Sequence, residues 1–283
     1  MKWDRDHESS DVIDERGRGG GGGGGGGLGG LGLLLNIGSR FGIGGMVVAA
    51  GLYFGAQFLF SSSGSRLSGG TAAPSGSAAT ERSKFVGFVL DDVQTTWTRI
   101  FAEQGQAYRH AKLVLYTDQT RTACGSGSAA MGPFYCPGDE RVWVDLGFFD
   151  ELSQKLGAPG DFAQAYVIAH EIGHHVQHLR GGDRADHSEG ASGGSVRIEL
   201  QADCYAGIWA RATEQRNLLE QGDIDEALGA AVAVGDDRLQ KNATGAVNPE
   251  KWTHGSSKER ASWFRRGLEQ GTFEACDTSK AAL

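Results

Sequence analysis

Nine consecutive glycines, Gly19–Gly27, stand near the start of this 283-residue chain. Such a run has no side chain to bury and the most backbone entropy to lose, so it cannot join a packed core. Mixed charges precede it and LGGLGLLLN follows. Residues 1–40 are therefore expected to be a disordered, glycine-rich tail. Many of the 46 glycines fall before Met46, so the excess is local and says little about the rest of the chain.

From Gly42 to Phe60 there is no formal charge, and Arg40 and Arg66 flank the stretch. At about 1.5 Å per residue these positions nearly match a bilayer's hydrocarbon core, so a transmembrane helix is expected over 41–60. A cleaved signal peptide fits less well, because the run starts far from the N-terminus and ends in FLFSSSGS without a small-x-small site. Gly51 and Gly55 form a GxxxG, which chance supplies in a glycine-rich helix. Residues 61–83, rich in Ser, Gly, Ala and Thr, are expected to be a flexible linker, leaving 84–283 as one folded domain.

Arg16, Arg18 and Arg40 lean towards a cytosolic tail. Cys124, Cys136, Cys204 and Cys276 all follow the apolar run, which favours an oxidising compartment for the domain. The expected location is thus the inner membrane, single-pass, with the domain periplasmic or otherwise extracytoplasmic. Pairing Cys124 with Cys136 would staple a loop, and Cys204 with Cys276 would tie the chain end to the core. Four buried free thiols are the alternative, since spacing does not determine connectivity, and no CxxC supports a second metal site. With 27 basic against 35 acidic residues and no long run of either, the net charge of −8 offers no basic face for nucleic acid.

The periodicity predicts helices over 85–104, 161–179, 196–214 and 257–270, with a shorter helical run within 223–238. Strands are predicted at 113–116 and 142–146, so the class is α+β and mainly helical. No internal repeat is visible.

His170-Glu171-Ile172-Gly173-His174 carries the sharpest chemistry. On a helix His170 and His174 project from one face, one turn apart, and can reach a single ion; Glu171 can lean over its open position. Zinc needs a third protein ligand. The metzincin spacing would want Gly at 177 and His at 180, but Gln177 and Arg180 stand there. His178 lies about 12 Å along the axis from His170, and His175 points away from His174. Glu199 is the best remaining candidate, ahead of His187 in a glycine- and serine-rich loop. Asp203, four residues on, shares its face and could accept the free N–H of a ligating histidine. With zinc in place a water's pKa would fall to about 7, and Glu171 would take its proton as water attacks a polarised carbonyl. His254 and Arg260 are the candidates beside the developing negative oxygen, with Ser256 or Ser257 capping the helix that carries Arg260. The Val142–Leu146 strand could pair with an extended peptide.

HEIGHHVQ, ELQAD, FYCPGDERVWVDLGFF and THGSSKERASWFRRG together resemble the bacterial family called putative neutral zinc metallopeptidases, over roughly Lys84–Cys276. That family is similar to gluzincins in its HExxH and ExxxD pair. The resemblance implies a zincin-like domain, one Zn²⁺ per chain on His170, His174 and Glu199, catalysis by Glu171, and support from Asp203. It also sets His254 and Arg260 where related membrane peptidases carry a THP-type motif, from which Gly255 departs. The function expected is a membrane-anchored zinc peptidase acting on protein or peptide substrates. The alternatives are a zinc-stabilised scaffold that binds a partner without turnover, and an amidase on cell-wall peptides.

Overall fold

A computed structural model describes residues 1–17, 77–182 and 186–280. The expected span at 41–60 lies outside the described residues, as do 18–40 of the expected tail and 61–76 of the expected linker. Among the described residues no helix is long and apolar enough to cross a membrane.

Residues 1–17 correct the expectation of a disordered tail. Val12–Asp14 forms β1, pairing in parallel with β2 (Lys112–Tyr116) in the register Val12 with Leu113. Met1 is buried and Trp3 packs edge-on to Phe85, ring centroids 5.3 Å apart. Asp11 accepts from Lys112 Nζ at 2.6 Å and Gln94 Nε2 at 3.0 Å, and meets His110 Nδ1 at 2.8 Å. Burial pushes its carboxyl up, but Lys112 and His110 outweigh burial and hold it below the usual range. A three-residue strand is too short for a period-2 signal, and its partner lies about a hundred residues away in sequence.

The chain continues through α1 (Ser77–Glu103), which begins inside the expected linker, then β2, the hairpin β3 (Gln119–Thr122) and β4 (Gly125–Ser128), β5 (Phe134–Cys136) and β6 (Arg141–Asp145). The main sheet runs β1-β2-β6-β5, with β5 antiparallel to β6 and the other pairs parallel. β6 therefore has a neighbour on both sides. Over Arg141–Trp143 its ladder groups are used on both sides, so that stretch cannot accept a peptide strand, while Val144 and Asp145 pair with β2 alone.

Helices α2 (Gly147–Gln154), α3 (Asp161–Leu179), α4 (Gly194–Gln215), α5 (Asp223–Ala233), α6 (Asp236–Thr244) and α7 (Ser257–Gln270) follow. The run expected within 223–238 is thus two helices, broken at Val234-Gly235, where Asp236 starts the second. The result is a mainly helical α+β domain. Its bonded pairs are Cys124 with Cys136 and Cys204 with Cys276, Cα atoms 5.8 and 5.6 Å apart.

Two close approaches position the site. A Cβ on Gly173 would stand 3.0 Å from the Ala202 carbonyl oxygen, so glycine lets α4 lie this near α3 beside His174 without displacing either helix. Gly207 and Gly267 face each other's helices more tightly still: their added Cβ atoms would meet Phe264 O at 2.0 Å and Cys204 O at 1.9 Å. This contact brings α7, and with it Arg260, onto the Asp203 turn of α4. Phe162 stacks on Trp209 at 5.2 Å behind it, fixing α3 against α4 from the apolar side.

Candidate metal centre

α3 is apolar around most of its circumference, with Phe162, Ala165, Tyr166, Ile168, Ala169 and Ile172 all buried, so its polar residues are carried inside with it. His170 and Glu171 are 6 % and 8 % exposed. Groups this deep need partners.

His170 Nδ1 stands 2.9 Å from Asp203 Oδ1, which makes Nδ1 the protonated nitrogen and turns Nε2 outward. Nε2 lies 3.2 Å from Glu199 Oε2. His174 Nδ1 donates to Gln177 Oε1 at 2.9 Å, and its Nε2 lies 3.4 Å from Glu199 Oε1. Two ligand atoms bound to one tetrahedral zinc at about 2.0–2.1 Å stand about 3.3–3.4 Å apart. The two spacings fit, and the ligand atoms of His170, His174 and Glu199 all lie within 4.8 Å of one another.

Asp203 is fully buried and accepts four hydrogen bonds: from His170, from the Tyr166 hydroxyl, and from Arg260 Nε at 2.8 Å and Nη2 at 3.0 Å. Burial pushes its carboxyl up, yet Arg260 and His170 overcome this and hold it below the usual range. Glu199 behaves likewise, held well below by His174 and His170. Burial disfavours a charge on His170, but Asp203 and Glu199 push it up to about 10. The centre therefore attracts positive charge. Its carboxylates Glu171, Glu199 and Asp203 against the one guanidinium of Arg260 leave a charge of −2 with neutral histidines, which matches a divalent ion. Burial itself raises the Glu171 carboxyl.

Arg260 points inward, as expected of the helix capped by Ser256, whose hydroxyl and Glu259 form a capping box. Its guanidinium holds Asp203, Tyr166 and the Val234 carbonyl, and Nη2 stands 3.8 Å from Glu199 Oε2. His254 Nδ1 meets Asp236 Oδ1 at 3.2 Å and Thr253 Oγ1 at 3.0 Å. Asp236 Oδ2 also accepts the backbone N–H groups of Thr253, His254 and Gly255. Burial lowers the His254 pKa, but Asp236 and Glu199 raise it above its ordinary value. Gly255 sits at φ +88°, a conformation closed to proline, and donates its N–H to Asp236, so the departure from a THP-type motif is built into this turn.

His175 is turned away, between the Tyr135 hydroxyl at 2.9 Å and the Arg109 carbonyl at 2.6 Å, and His178 Nε2 faces Glu140 at 3.5 Å. His187 is exposed and outside the ligand group. A second carboxylate group, Asp161, Asp223 and Glu226, lies beside the Met1 ammonium, which pairs with Asp161 at 2.7 Å, Asp223 at 3.3 Å and Glu220 at 3.4 Å. Three supporting residues escaped the sequence reading: Tyr166, Gln177 and Asp236. Tyr166 and Gln177 are one helical turn from the histidines they touch, His170 and His174, a signal that was available; Asp236 has none.

A family model described as putative neutral zinc metallopeptidase matches residues 1–279. The chain is 43 % identical over 292 residues to "Uncharacterized protein YpfJ" of Escherichia coli K12, covering 98 % of each. It is 46 % identical over 188 residues to "Uncharacterized protein Rv2575" of Mycobacterium tuberculosis H37Rv, covering 62 % of this chain and 64 % of that protein. "Uncharacterized protein Mb2605" of Mycobacterium bovis matches to the same extent. No solved structure matches. With nearly its whole length matched, and with two histidines and a glutamate meeting in a buried anionic pocket, this chain belongs to the putative neutral zinc metallopeptidase family.

Proposed function

We propose that the chain is a zinc-dependent peptidase that hydrolyses peptide bonds with Glu171 as general base. The observation that carries this is the convergence of His170 Nε2, His174 Nε2 and the Glu199 carboxylate beside buried Glu171. Zinc held there supplies a Lewis acid for the substrate carbonyl and lowers the pKa of a water to about 7. Glu171, its carboxyl raised above the usual range by burial, accepts the water's proton and passes it to the departing amine. His254, fastened at Nδ1 by Asp236, presents Nε2 to the oxygen that becomes negative. Asp203, clamped by Arg260, keeps His170 in its ligating tautomer.

Metal analysis of the purified full chain by inductively coupled plasma spectrometry is expected to find about one zinc per chain, lost in His170→Ala. A wild-type chain that is folded and metal-free in zinc-replete medium rules out this function.

Membrane attachment through 41–60 is part of the same proposal, with one revision of sidedness. β1 cannot pair with β2 across a bilayer, so residues 1–17 and the catalytic domain belong on one side of it, and attachment through 41–60 enters and leaves the membrane on that side in place of the single-pass span. The two disulfides favour the oxidising side for both. In intact cells a membrane-impermeant maleimide is expected to label Glu8→Cys and Glu214→Cys, both at exposed positions, to the same extent. Labelling of only one of them restores the cytosolic tail.

A further inference from the structure

The peptidase mechanism gives no task to Gln177, although it is 6 % exposed and touches a ligating histidine. Its orientation follows from its partners. The Ile198 carbonyl can only accept, so the Gln177 atom 2.7 Å from it is the amide nitrogen. Oε1 therefore faces His174 Nδ1, which must carry the proton, and the lone pair of Nε2 is left towards Glu199.

The second hydrogen of that amide nitrogen goes to Gln201 Oε1 at 3.1 Å, and Gln201 Nε2 donates in turn to the Cys276 carbonyl at 2.9 Å. Every donor along this line meets an acceptor in one sense. Turning either glutamine over would set carbonyl oxygens against each other in a partly buried space, so the polarity of the whole line is determined. Cys276 is held covalently to Cys204 on α4. Between Gln201 and Cys204 stands Asp203, which orients His170. One turn of α4 thus serves both histidines, and the bridge staples that turn to the end of the chain.

We infer that Gln177 is the positioning residue for His174 and that it is held through Gln201 by the disulfide-closed C-terminal segment, so that zinc retention depends on the Cys204–Cys276 bridge. This rests on the zinc reading of the site. Without Gln177 the imidazole of His174 is free to rotate or to exchange its proton between nitrogens, and a ligand that must be re-oriented binds metal more weakly.

The test compares zinc dissociation constants, by competition with a chromophoric chelator, and thermal midpoints of the metal-free protein, in full-length chains. Gln177→Met is expected to raise the dissociation constant about 10–100-fold. Gln201→Met and the paired Cys204→Ala/Cys276→Ala variant are expected to raise it too. Adding either of these to Gln177→Met should change it by no more than about twofold, because the line is already cut. A bridge that only stabilises the fold would lower the midpoint and leave zinc binding alone, or add its full effect to that of Gln177→Met; either result overturns the inference. So does a Gln177→Met constant within about twofold of wild type. Should Gln177→Met not fold, zinc release from Gln201→Met and from the paired cysteine variant decides, faster release supporting the inference and wild-type release overturning it. A wild-type chain that binds no zinc overturns the metal site itself, a separate outcome.

Discussion

Glu171→Gln is expected to keep about one zinc and the wild-type fold while lowering hydrolysis of an unfolded protein substrate by about 10²–10⁴-fold. The substitution preserves volume in a site where Glu171 is 8 % exposed, so packing is undisturbed. It removes the one oxygen pair beside the ligands that can take and return a proton. His170, His174 and Glu199 remain, so the metal stays. Hydrolysis undiminished in Glu171→Gln would dismiss the base. A variant that also fails to hydrolyse but replaces wild type fully in cells would instead establish the zinc-stabilised scaffold.

Arg260→Met is expected to cost about 3–5 kcal/mol in denaturant unfolding, because it leaves a buried carboxylate without its cation. Asp203 is fully buried and Arg260 is 3 % exposed, so water cannot take over the lost pair. Only His170 and Tyr166 would still donate to Asp203. Methionine fills much of the stem's volume, which separates the charge from simple cavity formation. Arg260→Lys restores a charge without the fork that reaches both Asp203 oxygens, and is expected to recover only part of the loss. A loss below about 0.5 kcal/mol in Arg260→Met would show that the pair adds nothing to stability.

These two predictions differ in how early their residues were legible. Glu171 stands inside a five-residue motif on one helical face, and helical spacing alone places it beside the ligands. Arg260 lies 57 residues beyond Asp203, and no local pattern says that they touch. What could be read was that Trp263 and Phe264 need burial, which turns Arg260 inward with them; both are buried. Asp236 was not legible at all, because it meets His254 only after α6 and the segment beyond it have turned the chain back.

The local period therefore determined α3, α7, the class of the domain and the facing pair His170 and His174, since helix geometry is a property of neighbours along the chain. Tertiary structure alone decided the rest: that residues 1–17 add a strand to the sheet, that β6 is flanked on both sides over Arg141–Trp143, and that Asp236 holds His254. Strand pairing and the closing of helices over a buried charge join residues distant in sequence, and their free energy appears only when both partners are in place.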